Sequence, residues 1–329
     1  MCGIVAYTGQ KEACPIILKG LKRLEYRGYD SAGIAILNGS LSVHKQKGKV
    51  SELENILEPL QLEGNVGIGH TRWATHGEPN QINAHPQYSA NRDLVLIHNG
   101  IIENYAIIKQ DLLNKGYQFV SETDSEVLAT FIEDILNNSH TSLDEAVRLA
   151  LQKVVGAYAI VIISEKHPKQ MIAARKGSPM VIGVGKDEFF VASDATPIIE
   201  YTNEVVYLDD NEIAVIEDME LSIKNLDATP KIPYVQKLDM ELETIEKGGF
   251  EHFMLKEIFE QPKSVADSMR GRIKANKGLL QLGGLTEYVN RLVSTDRIII
   301  VACGTSWHAG LVAEYVFEEL ARVSVEVEY

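Results

Sequence analysis

A cysteine stands at position 2, directly behind the initiator methionine, in the opening stretch "MCGIVAYTG". If that methionine is removed, one residue carries both a thiol and the α-amino group of the chain. A free thiol titrates near about 8.5 and an α-amine near about 7.7 to 8.0, so the amine is partly neutral at neutral pH. It can take the thiol proton directly or through one water, which joins a nucleophile to its own base. Three further stretches concentrate side chains able to do chemistry: "HTRWATHGEPN" at 70–80, "HNGIIEN" at 98–104 and "SETDSE" at 121–126. The three cysteines, Cys2, Cys14 and Cys303, are odd in number and far apart, and form neither a disulfide framework nor a zinc pattern. The carboxylates give no convincing metal pattern either, so neither a metal nor an organic cofactor is expected.

These stretches need a scaffold. Short runs rich in β-branched residues predict strands at "GIVAY", "GIAIL", "LSVHK", "VGIGH", "LVLIH", "YAIVII", "MVIGV", "FFVAS" and "EIAVI". Asn38-Gly39 suits the positive φ angles of a tight hairpin turn. The helices are expected in a block after the fifth strand. There Val127, Leu128, Phe131, Ile132, Ile135 and Leu136 recur at helical period, and "SLDEAVRLALQKV" follows with a capping-box spacing from Ser142 to Glu145. Runs of strands with helices grouped between them predict layered α+β, antiparallel sheets covered by helices.

From about 227 to 249 the text becomes charged, with two prolines and a Gly-Gly, and reads as a connector. Beyond it "HFMLKEIFEQPKSVADSM" predicts a helix broken at Pro262. "DRIIIVACGTSWHAGLVAEYVFEELARVSVEVEY" gives strand, polar turn, helix and the beginning of another strand, the first unit of an α/β doubly wound domain. Such a domain needs several parallel strands covered on both faces, so the chain is expected to be a fragment of a longer protein. The expected boundaries are 2–238 for the first domain, 239–249 for a linker and 250–329 for the incomplete second domain.

With 46 acidic against 32 basic residues, the formal charge of −14 argues against a general nucleic-acid or anionic-membrane surface. The N-terminus shows no signal-peptide pattern, and no stretch approaches the roughly 20 apolar residues that span a bilayer. A cytoplasmic protein with no nucleic-acid or membrane partner is therefore expected.

Cys2 with "GIVAYTG", "HTRWATHGEPN", "HNGIIEN" and "SETDSE" together resemble the class II glutamine amidotransferase family, whose glutaminase domains are N-terminal-nucleophile (Ntn) hydrolases with an αββα sandwich fold. With "LEYRGYDSAG", "KEIFEQP" and "ACGTS", the resemblance narrows to members that carry two sugar-isomerase (SIS) subdomains after the glutaminase, of which only the start of the first is present here. The resemblance implies that Cys2 attacks L-glutamine and releases glutamate and ammonia. In the full-length enzyme the ammonia would aminate fructose 6-phosphate, and that enzyme would be a homodimer.

The resemblance also assigns residues. Asn99 and Gly100 match the oxyanion hole: an amide and a backbone N–H exposed by a turn, although an Asn-Gly pair is by itself only a turn. Arg72 matches the fork that binds the substrate α-carboxylate and Asp124 the counter-charge for its α-ammonium. Their plain alternatives are an ion pair for Arg72 and, with Thr123 and Glu126 at capping-box spacing, a helix cap for Asp124. Trp73, Thr75 and His76 fall in the loop that resembles the family's lid over glutamine, Trp73 matching the tryptophan implicated in ammonia passage. Arg27 matches a residue that orients the surroundings of the nucleophile, or serves a structural ion pair. Gly304, Thr305 and Ser306 match part of a sugar-phosphate site at a helix N-terminus. The alternative there is an ordinary polar turn with Cys303 buried at its edge. Two competing readings remain: the glutaminase domain of an amidophosphoribosyltransferase or asparagine synthetase, and a non-catalytic glutamine-binding module.

Overall fold

Apolar residues run without interruption through "GIVAY" because both faces of that strand are covered. The computed structural model describes residues 2–73, 77–139, 141–238, 249–269, 273–274, 278–280 and 288–329. In strand β1 (Gly3–Thr8), Ile4 and Ala6 pack between two sheets, while Val5 and Tyr7 pack against helices on the opposite face. An antiparallel strand with one wet face would alternate, and this one has none.

The chain divides into two compact units, Met1–Glu246 and Lys247–Tyr329. In the first, strands β2 (Ser31–Asn38), β3 (Ser40–Lys47) and β4 (Val66–Arg72) form one sheet with β1, and β5 (Gln87–Tyr88) and β6 (Leu94–Ile102) begin another. The chain continues through β7 (Gly156–Ser164), β8 (His167–Lys176), β9 (Val181–Val184), β10 (Phe189–Ala192), β11 (Glu204–Tyr207), β12 (Glu212–Glu217), β13 (Glu220–Asn225), β14 (Pro230–Lys231) and β15 (Gln236–Lys237). The first sheet has eight strands in the order β15-β11-β9-β10-β1-β4-β2-β3, the second seven in the order β14-β13-β12-β8-β7-β6-β5. Helices α1 (Ala13–Leu24) and α2 (Val50–Leu57) bury Ile17, Leu21 and Leu53 on the outside of the first sheet. Helices α3 (Tyr105–Asn114), α4 (Asp124–Ser139) and α5 (Leu143–Lys153) bury Leu112, Leu128, Ile132 and Val147 against the second. Between the sheets lie Ile4, Ile68, Val95, Ile97, Val161 and Ala173. The layers are helix, sheet, sheet, helix, the expected αββα sandwich.

Several expectations need correction. Helices do not wait for the fifth strand: α1 and α2 precede it, masked in the sequence by Pro15 and Gly20 in α1 and by the shortness of α2. Pro15 falls in the first turn, where its missing N–H would have no helical partner. Strand β8 was hidden by its polar start, "HPKQ". Ser142 does occupy the N-cap of α5, but its hydroxyl makes no cap bond to the backbone, and Glu145 pairs with Arg148 at 2.6 Å. The hairpin expected at Asn38-Gly39 is present, with Gly39 at φ 71°. Residues 230–237 are not free connector, since β14 and β15 add to the two sheets; Pro230 is tolerated because β14 is an edge strand. The rest of the connector, 239–248, lies outside the described residues.

In the second unit the helix Phe253–Met269 runs through Pro262 instead of breaking there. The carbonyl freed at Ile258 lies on an exposed stretch, where water can satisfy it. The strand Arg297–Val301, the helix Gly304–Leu320 and the strand Ser324–Glu328 form a parallel strand-helix-strand unit, with Arg297 opposite Ser324 and Val301 opposite Glu328. Among the described residues, no helix is long and apolar enough to cross a membrane.

Candidate active site

Cys2 enters at the edge where the two sheets face each other. The register of β1 against β4 sets Gly3 opposite Thr71, which brings Cys2 beside Arg72 and Trp73 at the end of β4. The Trp73 N–H donates to Cys2 Sγ at 3.2 Å. Burial pushes the thiol up, and the Trp73 N–H offsets part of that. A protonated resting thiol needs a base close at hand to attack anything.

Strand β6 of the second sheet ends at the same place. Its Asn99 Nδ2 donates to the Cys2 carbonyl at 3.0 Å. Gly100 follows at φ 136°, and a Cβ there would lie 2.1 Å from the Ala157 carbonyl oxygen on β7, so only glycine fits. Asp124 opens α4 and is nearly fully buried, accepting the Ile102 N–H at 2.8 Å and so tying the helix start to the end of β6. The capping chemistry around it is real but belongs to its neighbours. Thr123 Oγ1 accepts the Glu126 N–H at 3.3 Å, and Glu126 accepts the N–H groups of Val120 and Ser121 at 2.9 and 2.6 Å. The Asp124 carboxylate therefore also faces the cavity.

That cavity, of about 230 Å³, is lined by Cys2, Arg27, Arg72, Trp73, Asn99, Gly100 and Asp124, with Ser178 and Pro179 from the turn after β8. Arg72 is buried and donates to the carbonyls of Glu78 and Gly77 at 3.2 and 3.3 Å. Arg27 pairs with Asp194 at 3.3 Å while lining the same space, so its ion-pair and site readings coexist. Gly28 allows this approach: a Cβ there would meet the Arg72 carbonyl carbon at 2.7 Å. Trp73 is half exposed and meets Tyr29 edge-on at 5.6 Å, not in the core. Thr75 and His76 lie outside the described residues. Gly304, Thr305 and Ser306 belong to the second unit, at the start of the helix Gly304–Leu320, where Gly304 takes φ 60°. Cys303 is exposed there, not buried at the strand edge.

Sequence reading passed over a group in the cavity wall, where His85, His98 and Ser125 also line the space. His70 on β4, His85 before β5 and His98 on β6 are buried together with Ser125 of α4. The rings of His70 and His85 pack at 4.3 Å. Ser125 Oγ contacts His85 Nε2 at 2.7 Å and His98 Nδ1 at 3.0 Å. Burial lowers His70 to about 3 and holds His85 well below its ordinary value. His98 is lowered by burial against the opposing pull of the Asp124 carboxylate. The available signal was strand alternation, which puts His70 on the same face as Arg72 and His98 on the same face as Gly100. A wider groove of about 800 Å³ between α1 and α2, lined by Cys14, Lys19, Lys22 and Glu54, holds none of the expected site residues.

With this geometry in place, the relatives become informative. Residues 70–200 match the model of the glutamine amidotransferase domain. Over its whole length the chain is 56% identical to a glutamine–fructose-6-phosphate aminotransferase (isomerizing) of Bacteroides thetaiotaomicron, covering 54% of that protein. It is 55% identical to the enzyme of the same name from Chlorobaculum tepidum, again covering 54% of it. Residues 70–200 thus carry the match to a glutamine amidotransferase domain, and the whole chain is similar to enzymes that carry glutamine in their names. It spans about half the length of the curated relatives it matches, and it corresponds to their glutamine amidotransferase half. Among solved structures, an allosteric regulatory enzyme of purine biosynthesis superposes with a TM-score of 0.60 at 31% identity, over 68% of this chain and 49% of that one. Glutamine phosphoribosylpyrophosphate amidotransferase from B. subtilis gives 0.63 at 23% identity, over 99% of this chain and 65% of that one, a likeness of fold. The sandwich is that of the Ntn-type class II amidotransferases.

Proposed function

We propose that this chain hydrolyses L-glutamine to glutamate and ammonia with Cys2 as nucleophile. The observation that carries this reading is the convergence of Cys2 from one sheet with Asn99 and Gly100 from the other on a single cavity that also holds Arg72 and Asp124. The Cys2 sulfur attacks the side-chain amide carbon, and the α-amine freed by loss of Met1 takes the thiol proton and returns it to the departing ammonia. The carbon–nitrogen bond breaks, a γ-glutamyl thioester remains, and water cleaves it to glutamate. Asn99 Nδ2 has a second hydrogen beyond the one given to Cys2, and with the Gly100 N–H it stabilises the oxyanion. Arg72 takes the α-carboxylate in exchange for its contacts with Gly77 and Glu78, so substrate binding and the loop after β4 are coupled. Asp124 takes the α-ammonium, Arg27 steadies the wall beside Cys2, and Trp73 with Thr75 and His76 closes over the substrate.

In the whole protein, a cytoplasmic homodimer without nucleic-acid partners, the ammonia goes to fructose 6-phosphate and yields glucosamine 6-phosphate. Gly304, Thr305 and Ser306 supply part of the phosphate site, and domain boundaries at 2–238 and 250–329 separate the two chemistries. Identity above one half to relatives bearing that activity in their names, in place of the more distant purine enzymes, supports this choice. Glutamate release by the chain and by a folded Cys2→Ala variant tests the first step. Release should vanish in the variant, and undiminished release would remove Cys2 from the reaction.

A further inference from the structure

His70 has no part in the reaction just described, yet its ring touches the group on which the oxyanion depends. Its Nε2 lies 2.9 Å from Asn99 Oδ1 and 3.1 Å from the His98 carbonyl oxygen. The His98 carbonyl can only accept, so Nε2 must carry a hydrogen. An N–H at that point requires the oxygen, not the nitrogen, of the Asn99 amide to face His70. The other end of the amide reaches the Cys2 carbonyl at 3.0 Å, again a group that can only accept, so it must be the nitrogen. Two backbone carbonyls of fixed polarity thus determine both the imidazole tautomer and the amide orientation, with His70 as the link between them.

The ring has little freedom to do otherwise. It is fully buried and packed on His85, whose Nε2 is held by Ser125. Its Nδ1 is buried with no hydrogen-bond partner among the described residues, so a proton there would be an uncompensated buried donor. Moving the hydrogen from Nε2 to Nδ1 would cost both ends of the arrangement.

We propose that His70 is a positioning residue for Asn99, keeping its amide nitrogen turned toward Cys2 so that the oxyanion donor is in place before glutamine arrives. This rests on the reading of Asn99 as that donor. A preorganised dipole acts on the transition state more than on bound substrate, so its loss falls on kcat and not on KM.

Two amide replacements differing in reach separate this role from general support of the core. In His70→Gln the side-chain nitrogen reaches approximately the place of Nε2, whereas in His70→Asn it falls short of Asn99. Glutamate-release kinetics on the full chain should show His70→Gln keeping kcat within severalfold. His70→Asn should lose about tenfold or more, with KM for glutamine little changed in either. On an Asn99→Ala background, the two substitutions should make no further difference to kcat, because their effect passes through the missing amide. Equal kcat for the two His70 variants, or a further loss on the Asn99→Ala background, overturns the proposal. If Asn99→Ala alone leaves kcat unchanged, the oxyanion reading itself has failed, a result distinct from the others.

Discussion

Arg72 shows what a single residue has to reconcile. Buried at the end of β4, it spends its terminal nitrogens on the carbonyls of Gly77 and Glu78. Carbonyl dipoles are weak partners for a buried cation beside what a carboxylate gives, so an incoming α-carboxylate is favoured to displace them in a bidentate pair. A lysine keeps the charge but loses the planar fork. Arg72→Lys is therefore expected to weaken glutamine affinity by about tenfold or more, the scale of one lost charge-assisted hydrogen bond, with a smaller effect on kcat. Calorimetric titration of glutamine into an inactive Cys2→Ala background would measure it, and equal affinity with Arg72 or Lys at that position would rule the fork out.

The seam between β4 and β6 shows how far elements were legible in advance. "GIVAY", "VGIGH" and "LVLIH" announce themselves as strands because residues buried on both faces leave continuous apolar runs, and the face of α4 is plain from its period. Helix α1 was not legible, since Pro15 and Gly20 imitate a loop. The residues proposed to touch substrate were readable from their motifs, whereas His70, His85 and His98 were not, because a histidine at the end of an apolar strand or in a loop carries no local sign of the ring packed against it. Those rings give the seam a pH dependence. They are held neutral by burial, with Arg72 and Lys45 also disfavouring charge on His85 and Asp124 favouring it on His98. Below about 6.5 the unfolded imidazoles take protons that the folded ones refuse, so the unfolded state binds more protons. The associated stability is complete above about 6.5 and declines as the pH falls toward the folded values, by up to about 1.4 kcal/mol per pH unit for each imidazole. NMR of imidazole carbons should show the His70 and His85 rings still neutral at about pH 5.5, where an ordinary histidine is mostly protonated. Titration of these two near about 6.5 would contradict the buried, neutral seam.

Across the whole molecule, the residues of the proposed glutamine site and those of the proposed sugar-phosphate site belong to different units. Cys2, Arg27, Arg72, Trp73, Asn99, Gly100 and Asp124 all belong to the first, which has its own layered core. In the proposed reaction, glutamine hydrolysis therefore draws on one sandwich alone. In the proposed mechanism this sandwich works through a thiol and an amine on one residue. It is tested most directly by acid-quenching the chain during turnover of glutamine and locating the γ-glutamyl thioester by mass spectrometry. The adduct is expected on Cys2 alone, and only in molecules that have lost Met1. An adduct on Cys14 or Cys303, or on Cys2 in molecules that retain Met1, would contradict it.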